Sequence, residues 1–358
     1  MAISSYEFNT AVKSLPPDAN KMLEFCTENG CSDLFLKVGE PSMIYRYGIL
    51  YQTQAIFDEI AWNKFANAAI TSELNARYVR DKMVDFSYAH PQKHYRYRVN
   101  AGFSVGKNIA TFRMITNKLP SFQTLKVGKD VSSLLEKAWS EKQGISLLCG
   151  ATGSGKTSTL AACINSFSSG YNGKENLPLK DAHLITLEDP IEYIYPTLSS
   201  TRIIQKELGK DFMSFELGIK SALREHPTHI LVGETRDKNT ISALVNASMT
   251  GHSTFSTFHC STVSETMSRI HSYLTGENQE IMFDLVSNMN FILCQRLIKG
   301  RKGVTLSYQY MFFIDEIKKT LTEALYKNLN VPRVVDNLMT NELAYVAAGR
   351  ITVKQRKE

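Results

Sequence analysis

Eight consecutive residues offer the most specific chemistry in the chain. Gly150-Ala151-Thr152-Gly153-Ser154-Gly155-Lys156-Thr157 fits G-x-x-x-x-G-K-[S/T], with an apolar run before it and an amphipathic helical pattern after it. Glycines let the backbone turn so that successive N–H groups face inward on phosphate oxygens, and the following helix adds the positive end of its dipole. Lys156 suits the β and γ oxygens, and the Thr157 hydroxyl suits Mg²⁺. Gly150, Thr152, Gly153, Ser154, Gly155, Lys156, Thr157 and Ser158 are therefore the candidate binders of a nucleoside triphosphate, ATP foremost.

Hydrolysis needs carboxylates beside that loop. Two apolar runs end in acids: His183–Leu187 leads into Glu188-Asp189, and His229–Val232 into Gly233-Glu234. Open parallel sheets present ligands at the carboxyl ends of their strands, where such acids would stand. One carboxylate orients or deprotonates the attacking water and another holds the metal shell. Gly233 occupies the place where an Asp usually follows the second strand, with Glu234 next. A third segment, Thr250-Gly251-His252 to His259, sets a histidine at each end of one short strand. A histidine at a sheet end could sense the γ-phosphate by donating to its oxygen.

The elements that must carry these groups fall into two regions. Residues 1–118 read as an α+β unit. In it, Tyr95-Arg96-Tyr97-Arg98-Val99-Asn100 alternates, and Ile109–Ile115 follows a turn at Gly106-Lys107-Asn108. An even hairpin places Arg98 and Arg113 on one face. Helical periodicity spans Ile60–Ala69 and Ser72–Val84. Residues 119–126, with Leu119-Pro120, read as a linker. From residue 127 to 358 short apolar strands alternate with helices, the signature of a parallel sheet with crossovers. Helix is predicted from Ser261 to about Leu297, a strand from Val304 to Ile314, helix in the tail and a loop over Ser168–Asp181.

Composition bounds the reading. The chain has 358 residues, 43% apolar and 21% charged, which excludes wholesale disorder and suits two domains. No apolar run reaches the roughly eighteen residues of a membrane span. The first residues carry no basic start leading into an apolar run, so no secretory signal is predicted. Six scattered cysteines without a C-x-x-C pair predict reduced thiols and a cytosolic setting. The net charge of +6, spread along the chain, suits an anionic partner without selecting one.

The quoted motifs carry a resemblance. LLCGATGSGKTSTL, LITLEDPIEYIY, HILVGETRD and MTGHSTFSTFHCSTVSETMSRI resemble, in order, the Walker A, Asp box, atypical Walker B and His box of the secretion-ATPase superfamily. CSDLFLKVGEPSMIYRYG and RYRVNAGFSVGKNIATFRMI are similar to the PAS-like N-terminal domain of its PilT branch, so the likeness runs over roughly residues 20 to 300. YRYRVNA, VSETM and the length most resemble the DotB-like and TraJ-like ATPases of type IVB secretion and I-type conjugation. The AIRNLIRE box of pilus-retraction motors and the four-cysteine module of GspE-type motors are absent. Cys260 stands where the family has Thr.

That resemblance implies an α/β fold: a RecA-like P-loop ATPase core on a parallel sheet, with a smaller PAS-like N-terminal domain. It implies ATP and Mg²⁺, Glu188 as water-activating base, and Thr157 and Glu234 at the metal. It implies His252 and His259 around the γ-phosphate, and Arg98 and Arg113 completing the site as domains and neighbouring subunits close. A homo-hexamer docked from the cytoplasm on an inner-membrane secretion or conjugation complex, with a second ATPase as possible partner, follows from the same likeness. Direct nucleic-acid binding is not expected. Rival readings are a RecA-like nucleic-acid translocase or helicase, a nucleotide-gated scaffold without hydrolysis, and a PilT-like pilus-retraction motor.

Overall fold

The computed structural model describes residues 5–93, 95–115, 118–168, 177–196, 198, 200–274, 279–300, 303–340 and 348–353. They divide into two compact units. The first comprises Met1–Lys118 with the short segments Pro190–Ile194 and Gly209–Asp211; the second comprises Leu119–Asp189, Tyr195–Leu208 and Phe212–Glu358.

The first unit runs α1 (Ser5–Lys13), α2 (Ala19–Glu28), β1 (Asp33–Lys37), β2 (Glu40–Arg46), β3 (Ile49–Phe57), α3 (Glu59–Ala69), α4 (Ser72–Asp81), β4 (Met83–Ala89), β5 (Arg96–Ser104) and β6 (Lys107–Ile115). Its antiparallel sheet has the order β3-β2-β1-β6-β5-β4. Alternation works on β5: Tyr97, Val99 and Ala101 are fully buried among Phe112, Phe86 and Trp62. Helix α3 starts because Asp58 accepts from the Ala61 N–H at 2.8 Å. Helix α4 stops at Asp81, where Lys82 turns left-handed at φ 60°. Val84, predicted as helix, therefore lies in β4, buried on the sheet.

The second unit runs α5 (Lys129–Trp139), β7 (Gly144–Cys149), α6 (Lys156–Ser168), β8 (Ala182–Glu188), β9 (Thr201–Glu207), α7 (Phe215–Ala222), β10 (His229–Val232), α8 (Lys238–Met249), β11 (Ser253–Phe258), α9 (Val263–Tyr273), α10 (Gln279–Asn288), β12 (Met289–Gly300), β13 (Gly303–Phe312), α11 (Asp315–Tyr326), α12 (Val331–Thr340) and β14 (Ala348–Val353). The sheet order is β14-β13-β12-β7-β11-β10-β8-β9. Neighbours from β9 to β12 pair in parallel, and β13 and β14 close it antiparallel, so the sheet is mixed. Strands β7, β10 and β11 are buried on both faces, which is why they read as continuous apolar or small-residue runs.

The same burial defeated the prediction of helix through Leu297. Helix α10 ends at Asn288, and Phe291, Ile292, Leu293 and Cys294 continue as β12 between β7 and β13. A strand buried on both faces carries no period-two signal to separate it from a buried helix. The tail also regains a strand, β14, after α12. The segment 119–126 packs onto the second unit: Asn165 Nδ2 donates to the Pro120 carbonyl at 3.0 Å, and Phe122 meets Phe167 at 5.6 Å between ring centroids. Of the predicted Ser168–Asp181 loop, 169–176 lie outside the described residues. No helix among the described residues is long and apolar enough to cross a membrane.

Candidate active site

Five parallel strands deliver their carboxyl ends to one edge of the second unit's sheet. Cys149 of β7 pairs with Phe258 of β11 on one side and Cys294 of β12 on the other, and Leu187 of β8 pairs with Val232 of β10. The residues immediately beyond are Gly150, His259, Glu188 and Gly233-Glu234.

The loop after β7 needs its glycines for space. A Cβ at Gly150 would sit 2.4 Å from Ser154 Oγ and 2.5 Å from the Gln295 carbonyl oxygen. Gly155, at φ +87°, turns the chain into α6, whose first residue is Lys156. The Lys156 ammonium is buried and donates to the carbonyls of Gly150 at 2.7 Å and Ala151 at 3.1 Å. Thr157 and Ser158 are half-buried in the first turn of α6, while Thr152 and Gly153 are exposed on the loop. Ser154 is buried, and its hydroxyl has no protein partner.

Glu188 closes β8 with its side chain buried. Its Oε1 accepts from Thr186 Oγ1 at 2.6 Å and from Gln205 Nε2, on β9, at 3.1 Å. Gln205 Oε1 in turn accepts from the Tyr195 N–H at 3.0 Å, which fixes the amide so that its NH₂ faces the carboxylate. Gly233 explains its own departure from an acid: it donates to the Leu187 carbonyl at 2.7 Å, and a Cβ there would stand 3.1 Å from that oxygen and 3.3 Å from Glu188 Cα. The side chain is displaced one residue onward, to Glu234, buried and ion-paired with Arg236. Thr257 Oγ1 holds the bend by donating to the Gly233 carbonyl at 2.6 Å.

His259 joins this group. Its Nε2 lies 3.5 Å from Glu234 Oε2, and Arg269 Nη1 donates to its carbonyl at 3.1 Å. Burial and the Lys156 ammonium hold the imidazole below the ordinary histidine range, against the pull of Glu234, so the ring is uncharged at neutral pH. Burial pushes the Cys260 thiol up to about 11 and Cys149 well above its ordinary value, so neither is a thiolate.

His252 does not join them. It precedes β11 at the amino end, where its carbonyl accepts from Gly144 and its Nδ1 meets the Ala247 carbonyl at 3.1 Å. A six-residue strand, roughly 20 Å, separates it from the loop. Expected beside the γ-phosphate, His252 instead anchors the α8–β11 turn.

Arg98 and Arg113 belong to the first unit. They are direct cross-strand partners on β5 and β6, as the hairpin predicted. The exposed Arg113 donates from Nε to Asp33 Oδ1 at 3.2 Å, and the half-buried Arg98 has Nη1 3.7 Å from Glu192 Oε1. Arg96 instead donates to Ser87 Oγ at 2.8 Å.

Sequence reasoning missed Thr186, Gln205, Gln295 and Arg269. A Thr two residues before Glu188 on the same strand face was a usable signal. Gln205, Gln295 and Arg269 reach the site only through tertiary pairing.

The residues present fit a nucleotide with its metal. The loop offers backbone N–H groups, a buried ammonium, an unpartnered buried hydroxyl and a helix N-terminus. Among the described residues no cluster of three His, Cys, Asp or Glu side chains forms a metal cage. Thr157, in the first turn of α6, and the buried Glu234 carboxylate offer the one or two protein oxygens that Mg²⁺ takes together with phosphates.

Comparison with known proteins places the chain. A family model described as type II/IV secretion system protein matches residues 10–325, and the chain belongs to that family. It is 37% identical over 240 residues to a twitching motility protein of Neisseria gonorrhoeae, covering 65% of this chain and 60% of that protein's length. It is 31% identical over 292 residues to the type IV pilus retraction ATPase PilT of Pseudomonas aeruginosa, covering 80% of this chain and 79% of that protein. The Legionella pneumophila ATPase DotB superposes with a TM-score of 0.78 at 28% identity, over 89% of this chain and 86% of DotB. The pilus retraction motor PilT with bound ADP superposes with a TM-score of 0.73 at 25% identity, over 93% of this chain and 94% of that one. The mixed α/β fold is thus shared with solved secretion ATPases.

Proposed function

We propose that this chain hydrolyses ATP as the motor subunit of a type IVB or conjugative secretion apparatus, working as a homo-hexamer on the cytoplasmic side of an inner-membrane complex, with a second ATPase as possible partner. The observation that carries the reading is the convergence of Lys156, Glu188, Glu234 and His259 at the carboxyl ends of neighbouring strands. The likeness to DotB favours the secretion role.

Lys156 leaves the Gly150 and Ala151 carbonyls for the β and γ oxygens, and the loop N–H groups take the remaining phosphate oxygens. Thr157 and Glu234 would hold Mg²⁺, which when bound would supply charge neutralisation for the phosphates. Glu188, aimed by Thr186 and Gln205, takes a proton from the water that attacks the γ-phosphorus while the bond to the ADP oxygen breaks. His259, uncharged and with a single N–H to give, donates from Nε2 to a γ oxygen once that nitrogen leaves Glu234 Oε2, 3.5 Å away in this structure. Arg98 and Arg113 reach the nucleotide of a neighbouring copy, where a planar guanidinium spreads over phosphoryl oxygens. The first unit is a PAS-like module, and changes in its angle to the second transmit the cycle.

A second reading, pilus retraction, rests on the 31% identity to PilT. The test is steady-state ATP hydrolysis by wild type and Glu188→Gln, followed by complementation of strains lacking either a secretion ATPase or a retraction ATPase. Turnover by wild type, lost in the variant, with rescue of secretion alone supports the proposal. Rescue of retraction alone replaces it with the second reading.

A further inference from the structure

Gln295 is the residue of β12 that stands just past the end of β7, one position beyond the Cys294–Cys149 pair. It is 1% exposed in an otherwise apolar stretch, a costly place for an amide unless both ends are used. Both are. Nε2 donates to the Ser154 carbonyl at 2.6 Å, and Oε1 accepts from the Thr159 hydroxyl, on α6, at 2.8 Å. A carbonyl can only accept, so the NH₂ end must face Ser154 and the amide has one orientation. Gly155 meets the same amide closely, since a Cβ there would sit 3.0 Å from Nε2.

We infer that Gln295 is a positioning residue that sets the peptide between Ser154 and Gly155 for phosphate. In a planar trans peptide the C=O and the next N–H point in opposite directions. Anchoring the Ser154 carbonyl on Gln295 therefore turns the Gly155 N–H away from β12, toward the inside of the loop. Thr159 keeps the amide from swinging free. This rests on the nucleotide reading of the loop and extends it to a strand more than a hundred residues away in sequence.

The side chain touches the loop and not the reacting atoms, so its loss weakens ground state and transition state alike. KM rises while kcat holds. Gln295→Glu separates this role from simple packing. The carboxylate keeps the acceptor for Thr159 but faces the Ser154 carbonyl with an oxygen in place of the donor. Protonating it restores an O–H donor, and burial raises a carboxyl's pKa.

The experiment measures ADP and ATP binding calorimetrically for wild type, Lys156→Ala, Gln295→Glu and Thr159→Val, with melting curves without nucleotide as the folding control. Gln295→Glu is expected to bind about tenfold more weakly or worse at about pH 8 and to recover at about pH 6, with kcat near wild type at saturation. Thr159→Val, a close isostere, is expected to weaken binding about threefold without pH rescue. If Gln295→Glu does not fold, Thr159→Val decides alone. Wild-type affinity in the deciding variant, or loss that no pH change restores in a folded Gln295→Glu, overturns the positioning role. Failure of the wild type to bind, or equal binding by Lys156→Ala, overturns the nucleotide reading itself.

Discussion

At the scale of single residues, the site is a set of buried charges whose partners are all on hand. Glu188 is held by Thr186 and Gln205 and Glu234 by Arg236, while Lys156 rests on its own loop carbonyls. Lys156→Ala should abolish ATP binding, measured by calorimetry, because the loop loses its only buried ammonium. Glu188→Gln keeps shape and hydrogen bonds while removing the proposed base, so nucleotide affinity should hold within a few fold. Turnover should fall about 10²- to 10⁴-fold. The imidazole of His259 sits below the ordinary histidine range through burial and Lys156, so it stays uncharged as pH falls toward about 6.5. The rate should therefore stay level down to that point and drop only beneath it, and a midpoint at or above it would contradict the neutral donor.

At the scale of elements, two features of the second unit set testable stabilities. Thr262 caps α9 by accepting from the Glu265 N–H at 3.1 Å, and Glu265 reaches back to the Ser261 N–H at 2.7 Å, so VSETM is one half of a capping arrangement. Thr262→Ala should cost about 1 kcal/mol in denaturant melts. His229 is buried beside the stacked pair Trp139 and Phe255, its ring 6.1 Å from the first and 6.4 Å from the second, and burial lowers its pKa. A lowered folded pKa means the unfolded chain binds the extra proton, so stability is full above about pH 6.5 and lost as pH falls below it. The melting temperature should fall with acid, and His229→Phe should flatten that slope.

These elements also show what sequence alone could reach. Strands β7, β8 and β10 were legible because apolar runs end in a glycine or an acid, and the β5–β6 hairpin because of its alternation, although the turn read at Gly106-Lys107-Asn108 falls one residue earlier, at Val105-Gly106. Strand β12 was not, because Phe291 to Cys294 is buried on both faces and its period is hidden. With β12 lost, Gln295 was lost too. His252 and His259 looked equivalent as types, yet a strand has two ends and only one of them meets the loop.

At the scale of the whole molecule, the proposed function requires copies acting together, with Arg98 and Arg113 of one chain proposed to serve the nucleotide of the next. Two crippled chains should then complement. Mixing Arg98→Ala with Glu188→Gln should regain a measurable fraction of wild-type hydrolysis, since some interfaces combine an intact arginine with an intact base. Arginines that serve their own chain's nucleotide would leave the mixture as inactive as its parts.

The most direct test of shared ATP sites is hydrolysis per chain across a protein dilution series, with and without single-stranded DNA. A per-chain rate that climbs steeply with protein concentration and ignores DNA is the predicted result. A rate that is flat with concentration and multiplied by DNA would contradict it, and would mark the chain as a nucleic-acid translocase.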